Sequence, residues 1–78
     1  MTPEFVCRLE HEKESKVERD LDLLFDQERR VFIIRETSFY TTGYGSDPAP
    51  ILTDISLERV RELLRDRPHD LAKAEKLA

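Results

Sequence analysis

Apolar side chains in the first part of the chain recur at every second position, the spacing of a strand with one buried face. Phe5, Cys7 and Leu9 alternate with Val6, Arg8 and Glu10 behind Pro3, so residues 4–11 are expected to form a half-buried strand. His11 to Lys16 is charged and lacks apolar residues, which predicts a solvated turn. Residues 15–26 admit two readings. A helix would use Ser15 and Glu18 as a capping box and gather Val17, Leu21, Leu24 and Phe25 on one face. A strand would set Leu21, Leu23 and Phe25 against Asp20, Asp22 and Asp26 with a period of two. The strand is preferred, because aspartates are poor helix-interior residues and here alternate with apolar ones.

Asp26 to Arg30 is a polar break of hairpin length, and Val31-Phe32-Ile33-Ile34 after it is the most β-favouring stretch of the chain. It should be the central strand, apolar on both faces at first, amphipathic from Arg35 and extending to Thr42. Both glycines and two of the four prolines fall within Gly43 to Pro50, which predicts a flexible loop. Ser56 is the expected N-cap of a helix over residues 57–66, with Ile55 and Val60 as hydrophobic staple and Val60, Leu63 and Leu64 as its apolar stripe. Arg67-Pro68 should stop that helix. A short helix from Asp70, burying Leu71, Ala74 and Leu77, should fray.

The elements add up to an α+β fold. Its small antiparallel sheet has three strands, or four if residues 51–54 add at an edge, packed by one C-terminal helix plus a short terminal helix. Val6 or Cys7, Leu9, Leu21, Leu23, Phe25, Phe32, Ile34, Val60, Leu63 and Leu64 are the expected core. With 78 residues the chain suits a single small domain, residues 1–78. A compact globule of that length has a radius of gyration of about 11 to 12 Å and a stability on the order of 4 to 8 kcal/mol.

Composition narrows the chemistry. Hydrophobic and charged residues each make up 38 %, and the apolar ones come in runs, which favours a folded body over a disordered chain. A net charge of −4 is too small for a polyanion imitating DNA and has the wrong sign for generic nucleic-acid binding. Cys7 stands alone, so the chain has no internal disulfide and no cysteine-based zinc site of its own, which suits a reducing cytoplasm. The longest apolar run, Val31 to Ile34, is far too short to cross a membrane, and no signal-peptide pattern is read.

No constellation suggests catalysis, a cofactor or a metal. On a regular strand Cys7 and His11 point the same way at roughly 13 Å, too far for a nucleophile and its base. His69 beside Asp70 reads as a helix start. Asp20, Asp22 and Asp26 lack the glycine and distal glutamate of an EF-hand loop and read as a solvated face. Gly43-Tyr44-Gly45 lacks the lysine and hydroxyl of a phosphate loop. The arginines of 59–67 are interleaved with Glu58, Glu62 and Asp66 as on a solvated helix.

Two surfaces remain. Ser38, Phe39, Tyr40, Thr42 and Tyr44 form a tyrosine- and hydroxyl-rich arm of the kind adaptable protein-binding surfaces use. Arg29, Arg30 and Arg35, interleaved with Phe32, Phe39 and Tyr40, could instead hold single-stranded nucleic acid, although Glu28 and Glu36 intrude and RNA-recognition motifs are missing. The expected function is a non-enzymatic protein-binding regulator, such as an inhibitor, antitoxin-like protein or adaptor. The alternatives are a single-stranded nucleic-acid binder and a subunit of an oligomeric enzyme with a shared site. Homodimerisation through an uncovered sheet edge or face fits a sheet that one helix cannot cover.

Overall fold

A computed structural model describes residues 2–40 and 48–78. Four strands, β1 (Glu4–Glu14), β2 (Val17–Asp26), β3 (Val31–Tyr40) and β4 (Ile51–Ile55), precede two helices, α1 (Leu57–Leu63) and α2 (Pro68–Leu77). The strands form one antiparallel sheet in the order β1-β2-β3-β4. This is the expected α+β fold with the fourth strand present.

Residues 17–26 are a strand, and their alternation sorts the sheet into two faces. Leu23 lies opposite Cys7 and Ile34, and Phe25 opposite Phe32. Val6, Cys7, Leu23, Phe25 and Phe32 meet Val60 and Leu64 of the α1 segment and Ala74 of α2 in one buried cluster, so both helices cover the same face. The Phe25 and Phe32 rings are tilted at 54° with centroids 4.8 Å apart, a favourable aromatic geometry. On the opposite face, Leu24 pairs with Ile33, flanked by Asp22 opposite Arg35.

The charged run does not form a long turn. β1 continues through Glu14 and reverses at Ser15-Lys16, with Ser15 in the left-handed region at φ 39°. Cross-strand pairing stabilises this extension: Arg19 of β2 bonds Glu12, and Lys13 pairs with Glu18. The β2–β3 turn falls where the polar break predicts it. Asp26 Oδ1 accepts from the backbone N–H groups of Glu28 and Arg29, and the turn ends on Arg30 at φ 56°.

Ser56 caps α1, its Oγ accepting from Arg59 N at 3.2 Å. The helix stops at Leu63, three residues earlier than expected, and the second helix begins two residues before Asp70. Pro68 explains the second limit, since proline suits a first helical position, whereas α1 ends on its cap Leu64 and passes into a turn in which Arg67 N–H donates to the Leu64 carbonyl at 2.8 Å.

Four expected core residues are not fully buried, half-buried Leu9 among them. Leu21 and Ile34 are half-buried and Leu63 is exposed, lining with Leu9, Glu10 and Arg67 a groove of about 300 Å³. The cause is length: strands of 10 and 11 residues extend about 33 to 37 Å, whereas helices of 7 and 10 residues cover only about 10 and 15 Å. The radius of gyration is accordingly 13.8 Å, above the value for a compact globule.

Candidate interaction surface

Beyond the reach of the helices, the sheet runs on as a tip. There Val17 of β2 lies opposite Tyr40 of β3, and Glu18 opposite Phe39. Phe39 and Tyr40 are 39 % and 46 % exposed, and alternation puts them on opposite faces of the strand. Val17 is exposed beside them and Ser38 is half-buried. Thr42 and Tyr44, the other two residues of the expected arm, lie outside the described residues. The arm is therefore a strand end that presents aromatic surface on both faces.

Two of the three arginines of the alternative site, Arg29 and Arg35, are bonded to carboxylates. Arg29 donates from Nε to Asp26 and through both terminal nitrogens to Asp54, tying the β2–β3 turn to β4. Arg35 donates to Asp22 Oδ2 at 3.1 Å. Arg30 occupies the turn. Arg29 is held even more firmly protonated than an ordinary arginine by its bonds to Asp54 and Asp26, and Asp26 is held below the usual carboxylate range by those same bonds from Arg29. Guanidinium groups so engaged would have to give up carboxylate partners to reach phosphates.

The aspartates of β2 do not form a solvated face. Asp22 is 3 % exposed, and its Oδ1 accepts from Arg8 Nε at 3.1 Å while Oδ2 takes Arg35. Asp20, also buried, bonds His11 Nδ1 and pairs with Arg8. The His11 bond, reinforced by the Arg8 charge, holds the Asp20 carboxyl below its usual range. These groups form a network whose charges are matched within the sheet, and no cluster suited to a metal occurs among the described residues.

Cys7 and His11 lie on opposite faces of the sheet, where a regular strand would point both the same way. Register shifts around Val6 and Leu9 put two bulges into β1, so Cys7 faces the helices while His11 faces Asp20 on the other side. Burial, with the nearby Asp70 carboxylate, pushes the Cys7 thiol up, away from the reactive thiolate.

The two sheet edges differ. Along β1, the carbonyls of Phe5 and Val6 accept from Lys73 Nζ at 3.2 Å, and those of Arg8 and Leu9 accept from the Arg67 guanidinium. Bulges and cationic side chains together blunt that edge. Among the described residues β4 has no bulge and no cationic side chain on its carbonyls, and its Ile51 and Leu52 are each 59 % exposed. Sequence reasoning assigned no role to these two residues. Their signal was present in a short apolar pair immediately after Pro50. Comparisons with protein-family models, curated proteins and solved structures find no match to this chain.

Proposed function

We propose that the chain is a small non-enzymatic protein-binding regulator whose partner docks on the β3 tip at Ser38, Phe39 and Tyr40. The observation that carries this reading is aromatic surface displayed on both faces of a strand end past the last helical contact. Isolated exposed apolar residues are ordinary, but Tyr40 with exposed Val17 opposite it on one face, and Phe39 on the other, give the tip aromatic anchors with few rotatable bonds. The pairing of Arg29 and Arg35 with aspartates favours a protein over a nucleic-acid partner. A cytoplasmic setting agrees with the lone buried thiol. Among the described residues, no helix is long and apolar enough to cross a membrane.

The test is affinity capture from a native lysate with wild type and a Phe39→Ala, Tyr40→Ala double variant. One or more proteins should be retained by wild type and lost at least tenfold by the variant, whose circular dichroism stays unchanged. Identical retained proteins would remove the tip from the account, and saturable binding of single-stranded oligonucleotide at low salt would favour the nucleic-acid reading instead.

A further inference from the structure

We infer that β4 pairs with β4 of a second copy of this chain, antiparallel and centred on Leu52, extending the four-stranded sheet to eight strands. The inference does not depend on the β3 tip. It starts from the unequal edges. Four carbonyls of β1 are occupied by Arg67 and Lys73, and two bulges break that strand's line. β4 is regular over all five residues in its pairing with β3, and its other side carries the alternate N–H and C=O groups that such a ladder leaves pointing outward. The side-chain clasp on it among the described residues, Arg29 on Asp54, bonds a carboxylate and not the backbone.

The side chains select the register. A two-fold axis at Leu52 sets the two Leu52 side chains against each other on the helix-free face and places each Ile51 beside the partner's Thr53 on the other face. The exposed apolar residues of both strands thereby meet at the centre. An axis at Thr53 would instead oppose Leu52 to Asp54 and bring the two Asp54 residues to a diagonal spacing of about 7 to 8 Å. Centring on Leu52 moves those carboxylates about 13 Å apart along the strands, beyond the screening length of about 8 Å in physiological salt. Each Asp54 is also neutralised by its own Arg29. Pro50, which lacks an N–H, limits the ladder at its start.

The same asymmetry fixes the stoichiometry. Pairing consumes the open edge of both copies and leaves only the two blunted β1 edges outward, so assembly closes at two. A five-residue ladder is short of the roughly 1,200 Å² that stable complexes bury, so the dimer forms reversibly with concentration.

Sedimentation equilibrium from micromolar to millimolar protein tests this. Wild type should rise from 9.2 kDa toward twice that mass, and Phe39→Ala, Tyr40→Ala should rise with it. Leu52→Lys should stay at 9.2 kDa with an unchanged circular dichroism spectrum. As an independent reading of register, mild oxidation of Leu52→Cys should give a covalent dimer, since directly opposed residues sit about 4.5 to 5.5 Å apart at Cα, within disulfide range. Thr53→Cys should cross-link far more slowly. A wild type that stays monomeric throughout, a Leu52→Lys variant that still associates, or faster cross-linking through Thr53→Cys would overturn the proposal.

Discussion

Asp22 has both carboxylate oxygens occupied, one by Arg8 and one by Arg35, from the two strands that flank its own. Its alternation with Leu21 and Leu23 set it away from them on a face expected to be solvated; what the sequence could not display is that two arginines would close over it and bury it. Burial of a charge so paired is tolerated because each oxygen finds a cationic donor. Removing it leaves Arg35, whose Nε is already buried without a bond, still less satisfied. Asp22→Ala should therefore lower unfolding free energy by about 1 to 3 kcal/mol in urea titration, and Asp22→Asn, which keeps an acceptor, by less. Leu24 and Ile33 teach the same lesson, since both are buried on a face that carries no helix. In register, Leu24 lies between Phe5 and Ile33, and Ile33 between Leu24 and Asp54, neighbours that the periodicity of a single strand does not display.

Among elements, the strands were the most legible part of the sequence. Residues 17–26 are a strand because only a period of two puts Leu21, Leu23 and Phe25 on one side and three aspartates on the other. The polar break at 26–30 and the cap at Ser56 were equally plain, because turn and cap chemistry is local. The closing of the β1 edge was not, since it depends on residues about sixty positions away. Arg67 and Lys73 reach back over 58 to 68 residues to the β1 carbonyls, and no local pattern encodes such a contact. If these side chains keep the edge closed, Arg67→Ala, Lys73→Ala should aggregate several-fold faster than wild type by light scattering during warm incubation. Arg61→Ala, which breaks only an exposed pair with Glu75, should not. The exposed tip was half legible: Phe39 and Tyr40 stood out by type, while their exposure follows from helices too short to reach them.

For the molecule as a whole, the sheet is longer than its cover, and much of its helix-free face is held by matched charges. Those charges set its response to acid. Asp20 and Asp26 both titrate lower in the folded chain than their ordinary value of 3.8. Their contribution to stability is therefore fully present well above pH 3.8 and is lost as pH falls through the lowered folded values. Thermal midpoints should thus decline steadily from about pH 5 downward. Asp20→Asn should start from a lower midpoint and decline less steeply, and a wild-type curve flat through that window would contradict the His11 and Arg29 bonds. The distance in sequence between β1 and its cover has one more consequence, in time. A ribosome adds about 5 to 20 residues per second, so the Arg67 that seals the Arg8 carbonyl follows it by 59 residues, about 3 to 12 s later. The edge of β1 is therefore made seconds before the side chains that seal it, and until they arrive its carbonyls stay open to strands of neighbouring chains.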